Sequence, residues 1–227
     1  MAKKSKEVPA GHVLRFTGGE RLSHWVHAIS YLVLLFTGLA VMSVKFRPVM
    51  DIIGGIDISR IIHRVFAVIF VVVVGLLFFT GERKHHWEWL RSVFVWTKAD
   101  VMHVKAFAAE FFGGHGNYPP QAKYNGGEKI NSMITIFGTV FITLSGVMMW
   151  FPQYFPVSLV RLAYPIHDLS MIMMTAALIG HLYLALIHPE SRAAFKGMTK
   201  GYVSKGFAKA HHGAWYEELK KEGKVQD

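Results

Sequence analysis

The chain has 227 residues, of which 52% are hydrophobic and 18% charged, a balance that argues against an ordinary water-soluble globule. It contains no cysteine, which excludes disulfides, thiolate-held zinc, iron–sulfur clusters and thioether-attached haem, so any metal must come through its 13 histidines. The 25 Lys and Arg against 15 Asp and Glu give +10, a sum that on a soluble chain would suggest nucleic acid; here the charges flank apolar runs, and no nucleic-acid partner is expected.

Trp25 to Val44 holds 20 residues without Asp, Glu, Lys or Arg, which at about 1.5 Å per residue crosses the roughly 30 Å hydrocarbon core of a bilayer. This predicts a first transmembrane helix over 25–44. The preceding segment is long and mixed in charge, and the run outlasts the roughly 7–15 apolar residues of a signal peptide, so it is read as a retained helix. Ile61 to Thr80 predicts a second span over 61–80, with His63 and Arg64 near its start. The polar interval that follows contains HHWEWLRSVFVWTKADVMHVKAFAAEFF, whose mixed charges and three Trp residues predict a helix lying at the membrane interface. Ile130 to Trp150 and Tyr164 to Ile187 predict spans three and four, over 130–150 and 164–187, the last carrying His167, Asp168 and His181. Residues 1–227 thus read as one all-α domain, an integral membrane four-helix bundle. The runs are too long for core strands and too evenly hydrophobic for amphipathic surface helices of a soluble bundle.

The basic residues orient these spans. Residues 1–23 contain five Lys and Arg, residues 81–129 seven and residues 188–227 eight, whereas the two other connections, 45–60 and 151–163, contain three and one. By the positive-inside rule both termini and the long middle loop are cytoplasmic in a bacterial inner membrane.

Ionisable side chains at membrane depth are costly and default to functional candidates. His24 lies at the start of span one, His63 near the start of span two, and His167 and His181 on span four. The 14 residues between the last two advance a helix about 21 Å and bring it back to nearly the same face. With the topology above, His63 and His167 share the outer depth, and His24 and His181 the inner. Two bis-histidine pairs, without thiolates or suitably spaced carboxylates, suit two haem b groups better than zinc or di-iron. Spacing alone leaves His27, one turn beyond His24, as an alternative inner ligand. His12, His85, His86, His103, His115 and His188 lie in loops or at edges and are read as solvated. Haem propionates require cations: Arg60, Arg64 and Arg161 are candidates at the outer end, and Arg15, Arg21, Lys123 and Lys129 at the inner end, although flanking cations also simply anchor helix ends.

The contexts ERLSHW, RIIHRVF, YPIHDLS and LIGHLYLA, with KYNGGEK before span three and KGMTKGYVSKGFAKAHHGAWYEE after span four, resemble the gamma subunit of membrane-bound respiratory formate dehydrogenase. The likeness covers nearly the whole chain, and the KYNxG and HHxxWY motifs are its most specific parts. It implies a four-helix di-haem cytochrome b that takes electrons from an iron–sulfur subunit, itself served by a molybdenum or tungsten catalytic subunit, and reduces menaquinone on the cytoplasmic side. His24, His63, His167 and His181 fall on the family's haem-ligand positions, which favours His24 over His27. Asn125 and Gly127 fall on its quinone-site motif. Glu128 stands where the family often has Gln. It is a candidate proton donor to quinol, or else a first-turn residue favoured by the helix dipole. His211, His212, Trp215 and Tyr216 are expected at a partner surface, the quinone mouth or the membrane interface.

The chain is therefore expected to be an electron-transferring subunit with no catalytic site for the donor substrate. Alternatives are the same architecture serving nickel–iron hydrogenase or thiosulfate reductase, a stand-alone superoxide-oxidising cytochrome, or, from another class, a haemless anchor or transporter.

Overall fold

The structure, a computed structural model, describes residues 8–225. Lys3, Lys4 and Lys6, three of the basic residues that orient the first span, lie outside the described residues. Among the described residues, four helices are long and apolar enough to cross a membrane: Gly18–Met42, Gly55–Thr80, Gly126–Trp150 and Val157–Ile187. Each begins before the apolar run that announces it, because polar residues with helix-starting chemistry fill the extra turns. Glu20, Asp57 and Glu128 place a carboxylate in the first turn of the first three, where the helix dipole favours negative charge. In the fourth, the Pro156 carbonyl accepts the N–H groups of Leu159 and Val160. The second span follows Gly54 and Gly55 at φ 102° and 81°, a left-handed pair that sharply redirects the chain after the short helix Arg47–Asp51. Widened π turns occupy Ile69–Val73 in the second span and Tyr183–Ile187 in the fourth.

The chain forms two compact units. One comprises residues 18–86 and 139–172 and contains parts of all four spans. Small residues are prominent among its buried positions, Ser30, Ala40, Ser59, Ser145, Ala163 and Ser170, beside the larger Tyr31 and Phe70. Small residues let helix backbones approach closely where lipid offers no hydrophobic drive to association. The hydroxyls of Ser59 and Ser170 donate to the carbonyls of Gly55 and Ile166, four residues back. Tyr31 Oη donates to the Met171 carbonyl (3.1 Å), tying the first span to the fourth. Phe36, Leu76, Phe79, Leu144 and Ile172 point outward and are exposed, as lipid-facing side chains must be.

The other unit comprises residues 8–17, 87–138 and 173–225. Here His12–Leu14 pairs antiparallel with Tyr202–Ser204, with Val13 opposite Val203, and Arg15 and Phe16 donate their N–H groups to the Gly201 carbonyl. Val13, Val203, Ala208, Trp215, Tyr216 and Leu219 form its core, joining this ladder to the helices Lys205–His211 and Gly213–Lys221. The expected single interfacial helix is two, Arg83–Phe94 and Lys98–Phe111. The break is chemical: Thr97 Oγ1 accepts the Asp100 N–H and Asp100 Oδ2 accepts the Thr97 N–H, a capping box that starts a new helix.

Candidate functional site

His63 and His167 lie within one unit, on the second and fourth spans, with ring centroids 6.4 Å apart and planes inclined by 53°. Each ring is held by its Nδ1. Thr37 Oγ1 lies 2.9 Å from His63 Nδ1, and Ser145 Oγ lies 3.1 Å from His167 Nδ1. Both hydroxyls donate their single proton to a carbonyl four residues back, Thr37 to Val33 (2.7 Å) and Ser145 to Phe141 (2.6 Å). A hydroxyl whose proton is so committed only accepts from the imidazole. Both rings are therefore Nδ1–H tautomers, and Nε2 is the nitrogen that carries the coordinating lone pair.

Glycine follows each hydroxyl. A Cβ on Gly38 would stand 3.2 Å from His63 Cε1, and one on Gly146 would stand 3.4 Å from His167 Cε1. Each imidazole thus rests in a hydroxyl–glycine notch on a neighbouring span. A coordinating nitrogen lies about 1 Å from its ring centre and bonds a metal at about 2 Å, so two imidazoles on opposite sides of one ion have centroids about 6 Å apart. The observed 6.4 Å fits. Among the described residues no group of three or more His, Asp or Glu could hold an ion, so this pair suits a metal whose remaining positions a macrocycle fills.

Of the candidate outer cations, the Arg64 guanidinium lies 5.4 Å over the Trp150 ring, Arg60 pairs with Asp57 at 3.3 Å, and Arg161 is exposed. His27 stacks on Phe70 with centroids 4.4 Å apart, whereas His24 meets Trp25 edge-on. His24 belongs to this unit and His181 to the other. His86, expected to be solvated, is buried: its Nε2 shares a hydrogen bond with Ser23 Oγ (3.2 Å), and its ring stacks on Phe78.

The other unit builds the turn before the third span. Asn125 Oδ1 accepts the Glu128 N–H (2.9 Å) and Glu128 Oε2 accepts the Asn125 N–H (3.0 Å), so Asn125 and Glu128 are the two halves of a helix-starting capping box. The Arg15 guanidinium clamps Glu128 at 2.8 Å and 3.1 Å and donates to the Lys123 carbonyl. Glu128 thus stands in the first turn of the third span, engaged by both Asn125 and Arg15. Gly127 is exposed beside it, and a Cβ there would stand 3.4 Å from Asn125 Oδ1 and 3.8 Å from His103 Cε1.

Lys129, a candidate propionate cation in the sequence, is already engaged within this unit. Its Nζ is buried, donating to Asp100 Oδ2 (2.8 Å) and the Val95 carbonyl (3.0 Å). Burial alone would raise Asp100, but the Lys129 ammonium and Thr97 outweigh it and hold the carboxyl below its ordinary value. Of the inner cations, Arg15 is committed to Glu128, and the Lys123 ammonium lies 5.3 Å over both the Phe16 and Tyr124 rings.

The HHGAWY tail closes on the same turn. His212 is buried, and its Nδ1–H donates to the Ala122 carbonyl (2.8 Å), while the Trp215 N–H donates to the Gln121 carbonyl. Burial, then Arg15, lowers the His212 pKa to about 4. Trp215 and Tyr216 are core residues of this unit, which accounts for them without an external surface.

Sequence reasoning missed Thr37, Gly38, Ser145 and Gly146. Their signal is a hydroxyl–glycine dipeptide recurring inside two uncharged spans.

A family model described as prokaryotic cytochrome b561 matches residues 15–201. The chain is 27% identical over 212 residues to the formate dehydrogenase cytochrome b556(fdo) subunit of Escherichia coli K12, covering 92% of this chain and 94% of that protein. It is 28% identical over 206 residues to the nitrate-inducible formate dehydrogenase cytochrome b556(Fdn) subunit of the same strain, covering 89% of each. Against the formate dehydrogenase cytochrome b556 subunit of Haemophilus influenzae the identity is 26% over 209 residues, or 91% of this chain and 83% of the relative. With four membrane-spanning helices and a paired histidine site that fits haem b, the chain belongs to the prokaryotic cytochrome b561 family.

Proposed function

We propose that the chain is the membrane cytochrome b subunit of a formate dehydrogenase complex, carrying electrons from an iron–sulfur subunit to menaquinone at the cytoplasmic side. The single observation that carries this reading is the His63–His167 pair, with ring centroids 6.4 Å apart and each Nδ1 held against a hydroxyl. The family match and the names of the relatives support the choice of donor. His63 and His167 would hold an outer haem b, and His24 and His181 an inner one, His24 being preferred to His27 because it falls on the haem-ligand position of the family that the chain resembles. A haem b held by a pair of histidines would supply a one-electron couple.

The remaining roles belong to this chain's own residues. Arg60, Arg64 and Arg161 neutralise propionates at the outer end, and Arg21 at the inner end. At the quinone site Gly127 admits close approach of the ring, and Asn125 donates from Nδ2, its Oδ1 being already engaged in the cap. Glu128 and Arg15 hold the turn in shape. The protein lies in the bacterial inner membrane with both termini cytoplasmic, partnered by the iron–sulfur subunit and, through it, the molybdenum or tungsten catalytic subunit.

The test uses membranes containing the whole complex. Formate should reduce low-spin haem b bands, and a menaquinone analogue should reoxidise them. Asn125→Ala should slow the reoxidation several-fold and leave the reduction by formate unchanged. Bands that stay oxidised with formate but are reduced by hydrogen would reassign the donor, and reduced bands that thiosulfate reoxidises would assign the chain to a thiosulfate reductase.

A further inference from the structure

The two notches have the same construction on different helices. On the first and third spans, a hydroxyl residue is followed by glycine, donates to the carbonyl four residues back, and receives a histidine Nδ1 at 2.9 or 3.1 Å. A single Ser or Thr bonding back onto its own helix is ordinary in membrane spans. Two of them, each receiving one member of a histidine pair whose rings stand 6.4 Å apart, are not explained by helix packing alone. Reversing either contact, so that the hydroxyl donated to the imidazole, would leave Thr37 Oγ1 2.7 Å from the Val33 carbonyl, or Ser145 Oγ 2.6 Å from the Phe141 carbonyl, with no proton between. The direction of both hydrogen bonds is therefore set by the backbone.

We propose that Thr37 and Ser145 are positioning residues that fix both axial imidazoles of the outer haem and, by accepting their Nδ1–H, set its reduction potential. This rests on His63 and His167 being ligands of one haem b. An acceptor on Nδ1–H makes the imidazole a stronger electron donor through Nε2, which favours the oxidised iron and lowers the potential. The same contacts hold the rings at their 53° inclination, which governs the magnetic anisotropy of a low-spin bis-imidazole iron. Gly38 is part of the device, because a β-carbon there would press on the ring edge that the hydroxyl holds, and Gly146 lets the second ring approach to where a β-carbon would just touch it.

The experiment compares the wild-type complex with Thr37→Val, Ser145→Ala, and the conservative Thr37→Ser and Ser145→Thr. It reads haem content, potentiometric titration of each b haem, and low-temperature electron paramagnetic resonance. The expected result is two haems retained, a positive shift of the outer potential and an altered outer signal in Thr37→Val and Ser145→Ala, with Thr37→Ser and Ser145→Thr close to wild type. Selective loss of the outer haem in Thr37→Val but not in Thr37→Ser also supports positioning. An outer haem with unchanged potential and signal in Thr37→Val and Ser145→Ala overturns the proposal. So does an equal change in Thr37→Val and Thr37→Ser, which would assign the effect to packing, or loss of both haems together. His63→Ala is the separate control: if it keeps the outer haem, the ligand assignment itself fails, whatever Thr37 does.

Discussion

Lys129 and Asp100 show how far a charged residue's role depends on what surrounds it. In the sequence Lys129 is one more cation ahead of an apolar run, whereas in the fold its side chain is 5% exposed and that of Asp100 is 3%. Removing one partner of such a pair leaves a buried, unmatched charge, at a cost of about 3–5 kcal/mol. Lys129→Met should therefore lower the thermal stability of the detergent-solubilised protein by about that much, and adding Asp100→Asn should restore part of it. Asp100 titrates below its ordinary value, so this stabilisation is complete above the unfolded carboxyl pKa of 3.8 and is lost only as acid takes pH below it. His212 falls in a different window. Its folded pKa of about 4 lies below the unfolded 6.5, so the contribution of the neutral, buried imidazole is full above pH 6.5 and is lost as pH falls towards 4. Hydrogen exchange should show residues 205–221 losing protection across that interval, and His212→Gln should remove most of the pH dependence. Protection that stays constant from pH 7 to 4 would remove His212 from this role.

The four spans are legible in the sequence because a membrane helix must be uninterruptedly apolar over about 20 residues, the strongest pattern a chain can carry. Their first turns are less legible, since Glu20, Asp57 and Glu128 read as loop residues until the cap geometry is known. The strand pair is invisible because His12–Leu14 finds its partner about 190 residues away, and nothing local marks either segment. The histidine pair is legible through depth, but its seats are not: Thr37–Gly38 and Ser145–Gly146 look like filler in an apolar run until the helices are packed. That packing makes a prediction at this scale. Gly38→Ala places a methyl 3.2 Å from His63 Cε1, inside ordinary contact distance, and Gly146→Ala places one 3.4 Å from His167 Cε1. Gly38→Ala should displace its ring more and reduce outer haem content, measured by difference spectra, with Gly146→Ala the milder of the two. Equal, full occupancy in both variants would mean that the notch is loose.

For the whole molecule, the proposed function requires that the one-sided charge distribution and two separate histidine pairs serve to move electrons across a bilayer. Twenty of its 25 Lys and Arg fall in residues 1–23, 81–129 and 188–227, so a C-terminal fluorescent-protein fusion should be bright and an alkaline-phosphatase fusion inactive. The reverse outcome would invert the assignment of inner and outer haem. Electrons moved from outside to inside work against the membrane potential by about 2.3 kcal/mol per charge per 100 mV, which is how oxidation of the donor would store energy. All of this depends on two haems per chain held by separate pairs of histidines. The most direct test is the haem-to-protein ratio, by pyridine haemochrome, of the wild type beside His167→Ala and His181→Ala. The account predicts two haems in the wild type and one in each variant, the outer lost with His167 and the inner with His181. One haem in the wild type, or the same haem lost in both variants, would contradict it.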